Sequence, residues 1–435
     1  MSESVLIITY YWPPSGGAAV QRWLSFANKL AEKKVDVFVL TVDEKYATYQ
    51  LYDVSLQETI HPSIKVFTTK TIEPFGIYKT FFGKNSIPKP AFSDENSPST
   101  VKKISRFIRG NFFIPDPRKG WKYFAVKKAV KLVDEFGIKN IITAGPPHST
   151  HFIGNAIKQK KNVNWIADFH DLWTDVIYYN LLYHLPIVKK ADLRLEKQIL
   201  ENADSVITVG EKYKQKLLEK SSRLTPEKIT VLRIGYDEEL FPSTQKPAET
   251  SKFIITYTGT IAAYYNPQVL FVVLKKLKDK YPNVPFVLRF VGILSIEIKQ
   301  QIIASGLADI FEETGYVSHK AAVDLLLQST MLLLVNPEIK EEDMVIPGKI
   351  YEYIAAQKPI INITKLTAET ALIISDCKAG KTFERHTQHE LQQYLEENIQ
   401  QWQKSGDLTI ADNAEKIIQY SRKQICDNLI KLLQH

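Results

Sequence analysis

The chain has 435 residues, 56 Lys plus Arg against 48 Asp plus Glu, a net charge of +8 with histidine neutral, and two cysteines. That length predicts two or three domains with sizeable cores, and Cys377 and Cys426 alone exclude a disulfide framework or a cysteine-rich zinc site. No apolar run approaches the ~20 residues of a membrane span, and the N-terminus has no basic leader or small-residue cleavage site, so a soluble, cytoplasmic protein is expected.

VLIIT near the N-terminus reads as a buried strand, PPSGG (Pro13 to Gly17) as a turn, and AAVQRWLSFANKLAEKK as a helix. Gly16 and Gly17 let a ligand approach the backbone closely and place amides at a helix N-terminus, which suits phosphate or another anion; a plain tight turn accounts for them equally. The G-x-G-x-x-G dinucleotide spacing is absent. After the strand candidate VDVFVLTV comes the segment that holds the charge. From Val101 to Val133 there are ten basic residues, Lys102, Lys103, Arg106, Arg109, Arg118, Lys119, Lys122, Lys127, Lys128 and Lys131, against the single acid Asp116. This segment carries +9 and the other 402 residues sum to −1. Its basic residues interleave with aromatics, and Val101, Ile104, Phe107 and Ile108 share one helical face. Three readings stay open: an anionic membrane surface, a nucleic acid, or solvated helix faces over a core of aromatics.

NIITAGPP and WIADFHD are strand ends carrying His148, His170 and Asp171. Strand carboxyl ends are where open α/β sheets bind ligands. A carboxylate such as Asp171 can orient a neighbouring imidazole and raise its basicity; the alternative is histidines that only satisfy their loops. No His-x-x-x-His or carboxylate cluster suggests a metal. DSVITVG and ITVLRIG complete the first half, and DEELFPSTQKPAETSK is the linker, placed at 239–250.

The second half repeats the grammar, with FIITYTG, VLRFVG, LLLVN and PIINI alternating with helical stretches. VIPGKIYEYIAAQ starts a helix near Gly348, with Lys349 and Glu352 in its first turn. Helix-terminal amides and the Lys349 ammonium suit a diphosphate, and Glu352 could accept from ribose hydroxyls or simply stabilise its own helix dipole. Glu415 to His435 reads as one amphipathic helix.

PPSGGAAVQRWLSFANKL, TAGPPHSTHFIG, WIADFHDLWTD, ADSVITVGEKY, GYDEELF, ITYTGTI, FVG, GYVSHKAAVDLL and VIPGKIYEYIAAQKPII, in this order, resemble bacterial family 4-like glycosyltransferases. The resemblance spans nearly the whole chain and implies an α/β GT-B fold: two Rossmann-like doubly wound domains facing across a cleft, with the C-terminal helix returning to the first domain. It implies an acceptor domain over 1–238 plus about 420–435 and a nucleotide-sugar domain over 251–419. Gly16 and Gly17 then match the glycine loop at the donor diphosphate and sugar, His170 the donor-sugar histidine that many relatives replace by arginine, and Asp171 a residue that orients it or binds acceptor. Gly348 and Lys349 fall at the diphosphate, and Glu352 matches the second glutamate of E-x7-E.

The first glutamate of that signature falls at Met344, with Glu342 and Asp343 near but out of register. The Arg and Lys that many relatives carry after the first strand of the second domain are missing from TGTIAAYYNP, leaving Arg22 and Arg233 as substitute cations. The expectation is a retaining glycosyltransferase that moves sugar from a nucleotide-diphosphate donor to a glycan or lipid-linked hydroxyl in surface polysaccharide synthesis. No cofactor, metal or nucleic acid is expected, and 101–133 would meet an anionic membrane. A sugar-nucleotide epimerase or hydrolase, or a basic nucleic-acid-binding protein, are the alternatives.

Overall fold

The computed structural model describes residues 3–49, 51–73, 100–176, 178–241, 251–408, 410 and 413–434. Residues 242–250 of the expected linker lie outside them, as do the side chains of Val101 and Lys102. The chain divides into two compact units, Met1–Arg233 with Cys426–His435, and Ile234–Ile425. The first ends ahead of the expected 238 and resumes at 426 rather than about 420.

The first unit is a seven-stranded parallel sheet of β1 (Ser4–Ile8), β2 (Asp36–Val42), β3 (Lys65–Thr69), β4 (Asn140–Gly145), β5 (Asn164–Phe169), β6 (Ser205–Thr208) and β7 (Ile229–Val231), in the order β3-β2-β1-β4-β5-β6-β7. The order reverses between β1 and β4. At such a switch point the crossovers leave in opposite directions, and a crevice opens beyond the strand ends. Central strands are near-continuous apolar runs because helices cover both faces: β1 is SVLII, buried from Val5 on, and β4 is buried throughout. Edge strand β3, KVFTT, has no fully buried residue.

The second unit repeats the architecture with β8 (Phe253–Thr258), β9 (Phe286–Val291), β10 (Phe311–Gly315), β11 (Met331–Val335), β12 (Ile360–Ile363) and β13 (Gly380–Phe383), in the order β10-β9-β8-β11-β12-β13. All its strand pairs are parallel. Phe253, Tyr257, Phe271, Leu274, Phe290 and Leu333 centre its main core, and the switch point falls between β8 and β11.

The expected single C-terminal helix is two, Ala414–Ile418 and Arg422–Leu433. The break arises where Tyr420 O accepts from the Tyr236 amide at 3.0 Å and Tyr236 O accepts from the Arg422 amide at 2.9 Å, which replaces helical bonding with a short parallel bridge. From Cys426 the second helix belongs to the first unit: Leu432 O accepts from Asn164 Nδ2 at 3.2 Å and Asp427 pairs with Lys33 at 2.5 Å. No helix among the described residues is long and apolar enough to cross a membrane.

Candidate functional site

In the first unit, the turns after β1, β4 and β5 converge on a cavity of about 360 Å³. Gly16, Gly17, His148 and Asp171 all line it, so four residues chosen from three separate strand ends share one wall system. Gly17, at φ 109°, caps the helix Ala18–Glu32, a conformation open to glycine at little cost. The Gly16 amide is not available for an anion, since it donates to Leu51 O at 3.0 Å. Gly145, closing β4, is required by close approach: a Cβ there would lie 2.6 Å from His151 Nε2 and 3.0 Å from His148 Nδ1.

The far wall comes from the basic segment. Arg109 and Gly110, on the helix Thr100–Phe112, and Asp116 and Arg118 after it, line the same cavity. Asp116 anchors this stretch: its carboxylate accepts from the Ser149 amide at 2.8 Å, the Ser149 hydroxyl at 2.7 Å and the Arg118 amide at 2.9 Å. Arg118 is buried, its guanidinium over the rings of Tyr10 and Tyr11. Burial and the nearby Arg118 charge push the Arg109 pKa down. Arg106 is buried as well, so three arginines expected to face solvent or a membrane turn inward.

His148 stacks on Trp173, with centroids 5.3 Å apart and rings within 6° of parallel. Burial lowers its pKa to about 3. His170 lines a smaller adjoining pocket with Arg22 and Tyr11. Its pKa is also lowered to about 3, first by burial and then by the Arg22 charge. The expected gain in basicity from Asp171 is therefore absent, and with Nδ1 of His170 meeting no hydrogen-bond partner, Asp171 does not orient the ring through that nitrogen. Asp171 itself is raised to about 6, by burial and then by the charge of Asp168. The pocket thus presents neutral imidazoles beside a carboxyl that ionises close to neutrality.

Arg22 is not a substitute cation for a diphosphate. Fully buried, it pairs with Asp168 and donates to Leu232 O at 3.1 Å. Arg233 donates to Val209 O at 3.4 Å.

In the second unit the helix Lys349–Ala355 begins at Gly348, which a Cβ could occupy without contact. Lys349 turns beneath the end of β8, donating to Thr258 O, with its ammonium 3.8 Å from the Tyr257 ring centroid. Burial lowers its pKa to about 7. Gly259, at φ +97°, lets the backbone pass: a Cβ there would stand 3.0 Å from Nζ. Glu352 Oε1 accepts from His319 Nε2 at 2.7 Å, and that hydrogen bond raises the His319 pKa. His319 heads the helix following β10, 33 residues from its partner, and sequence spacing offers no sign of the pairing. Glu342 cannot stand in for the glutamate replaced by Met344: it is buried, bound by Arg385 Nη1 at 2.7 Å and Thr364 Oγ1 at 2.9 Å. Arg385 also reaches Asn336 O at 2.6 Å and Tyr265 O at 3.1 Å, and so fixes the loops after β8 and β11.

Comparison with known proteins adds one sequence match and a set of structural likenesses. The model of Glycosyltransferase Family 4 matches residues 88–240, a range that includes the arginine wall and the β4 and β5 turns of the first unit. That match covers about a third of the chain. Its fold is GT-B in type, as in a glycosyltransferase from Rickettsia africae ESF-5 (14% identity, TM-score 0.64, 100% of this chain and 98% of that one covered) and Anabaena Alr3699/HepE in complex with UDP (15%, 0.63, 100% of each). The lipopolysaccharide outer core galactosyltransferase WaaB aligns at 12% identity and TM-score 0.58 over 99% of each chain. No curated protein matches in sequence. Within residues 88–240, sequence reasoning identified His148 and Asp171 as cavity residues and missed Arg109, Arg118, Tyr178 and His184, which line it too. The arginines were visible only as charge.

Proposed function

We propose that the protein is a retaining glycosyltransferase that moves a sugar from a nucleotide-diphosphate donor to a hydroxyl of a glycan or lipid-linked acceptor in surface polysaccharide synthesis. The observation that carries this reading is one cavity lined by Gly17, His148, Asp171, Arg109 and Arg118, all but Gly17 within the residues 88–240 that match the Family 4 model. The acceptor is held in that cavity. Asp171, as carboxylate, accepts from the attacking hydroxyl, and His170, neutral, hydrogen-bonds sugar hydroxyls instead of moving protons. The donor nucleotide belongs to the second unit, its ribose on Glu352 and its diphosphate near Gly348 and Lys349. The new bond to C1 forms on the face from which the nucleoside diphosphate departs, so configuration is kept. Fixed charges and dipoles carry this chemistry, with no metal or cofactor invoked.

UDP is bound in the Anabaena neighbour, which makes UDP-sugars the first donors to test. A thermal-shift screen of UDP-, GDP- and dTDP-sugars should show one base raising Tm, since ligand at 100 times Kd adds about 2.7 kcal/mol of stability. Product analysis with and without acceptor then follows. Donor epimerised, or hydrolysed equally well without any acceptor, would replace transfer by the corresponding reaction; no shift and no turnover with any donor would overturn the reading.

A further inference from the structure

The charge excess of the sequence resolves into two populations. Arg106, Arg109 and Arg118 turn inward, whereas Lys119, Lys122, Lys127, Lys131 and Lys160 are all exposed and line one open groove between the helices Lys122–Phe136 and His151–Lys158. Its floor is Gly120, Val126, Val130 and Ala156, nothing acidic lines it, and among the described residues none of the five lysines has a salt bridge. Lys119 donates to Phe112 O at 3.1 Å, which joins the groove to the end of the helix Thr100–Phe112. That helix has its polarity reversed: Ser105 and Arg106 are buried, while Ile104, Phe107 and Phe112 are 50%, 38% and 66% exposed. Tyr123, at the groove, is 74% exposed.

We propose that this lysine groove and the adjoining Ile104, Phe107 and Phe112 ridge dock the first unit on an anionic lipid bilayer. A soluble polyanion would need the lysines but gains nothing from apolar side chains held in water, whereas a bilayer takes both: headgroup charge meets the ammonium groups, and the exposed rings enter the boundary of the acyl region. The rest of the protein is close to neutral, so the patch alone sets the orientation of approach.

Vesicle sedimentation with the full chain tests this and needs neither donor nor acceptor, so it can fail while the glycosyltransferase reading stands. Phosphatidylcholine vesicles containing phosphatidylglycerol should bind, and pure phosphatidylcholine should not. Replacing Lys122, Lys127 and Lys131 by Gln should weaken binding about 100-fold, and Ile104→Ser with Phe107→Ser should weaken what survives at high salt. The same charge removed at Lys320, Lys340 and Lys404 of the second unit should leave binding unchanged. Equal loss in that control, undiminished binding of the groove variant, or capture of heparin or single-stranded DNA through these lysines without vesicle binding would each overturn the proposal.

Discussion

Arg22 Nη1 and Asp168 Oδ2 meet at 2.5 Å with both side chains fully buried, and the same carboxylate oxygen accepts from Trp23 Nε1 at 2.8 Å. The pair joins the first helix to β5 directly beneath the strand-end turn that carries His170 and Asp171. Removing one member leaves a buried charge uncompensated, which typically costs about 3–5 kcal/mol, whereas replacing both by apolar groups of similar volume is often close to neutral. Arg22→Met and Asp168→Leu should each lower stability in urea by that order, and the double variant should recover most of the loss. Additive losses in the double-mutant cycle would contradict a purely structural pair.

Asp171 separates function from stability. Because its folded pKa is raised to about 6 from an ordinary value near 4, the folded protein binds more protons than the unfolded chain between those values, and stability falls as pH rises across that window. Above it the carboxylate carries an uncompensated burial cost. Asp171→Asn should therefore be more stable than the unchanged protein at pH 7.5, by on the order of 2 kcal/mol, and indifferent below pH 4. If the carboxylate accepts from the acceptor hydroxyl, the same variant should lose activity about 100-fold. A variant that is destabilised, or stabilised with activity intact, would remove Asp171 from the site.

The two neutral histidines act in the opposite direction. His148 and His170, both lowered to about 3, leave the unfolded chain as the better proton binder between about pH 6.5 and 3. Stability should drop as pH falls through that interval, and His170→Gln should flatten the decline in chemical denaturation measured from pH 7 to 5. An unchanged slope would mean that His170 charges readily in the folded protein.

Several of these features were legible from the chain and others were not, for a physical reason. Central strands such as VLIIT and LLLVN are buried on both faces and read as apolar runs, while the edge strands β3, β10 and β13, KVFTT, FEETG and GKTF, mix polar residues because one flank meets solvent. The helix start at Gly348 was legible from Pro-Gly-Lys. The direction of Arg106, Arg109 and Arg118 was not, since a charge count is blind to the cavity beyond β4. Nor was the His319 and Glu352 pair, whose members come from helices that meet only after the second sheet forms.

Lys349 offers the sharpest test in the second unit. Its pKa, lowered to about 7 by burial, means the unfolded chain binds more protons between pH 7 and 10.5, so the protein gains stability as pH rises through that range. Lys349→Met should accordingly raise Tm below pH 7, with the gain shrinking towards pH 10. If the ammonium stabilises a departing diphosphate, the variant should also lose kcat about 100-fold below pH 7 while remaining folded, with the difference narrowing at higher pH as the ammonium of the unchanged protein deprotonates. Retained turnover alongside the stability gain would leave Lys349 as a buried cation held only by Thr258 O and the Tyr257 ring.

Glu352 and His319 make the final prediction. A carboxylate that receives ribose hydroxyls contributes equally to ground state and transition state, so its loss should appear in KM rather than kcat. Glu352→Gln should raise the donor KM about 10-fold with kcat nearly unchanged. His319 acts on it from 2.7 Å, and with its pKa raised by that contact the ion pair is fully present below pH 6.5 and lost as pH rises through the raised value. Donor KM measured from pH 6 to 8.5 should therefore vary in the unchanged protein and become flat in His319→Gln. A pH dependence that persists in His319→Gln would assign the titration to another group and leave Glu352 acting without its histidine.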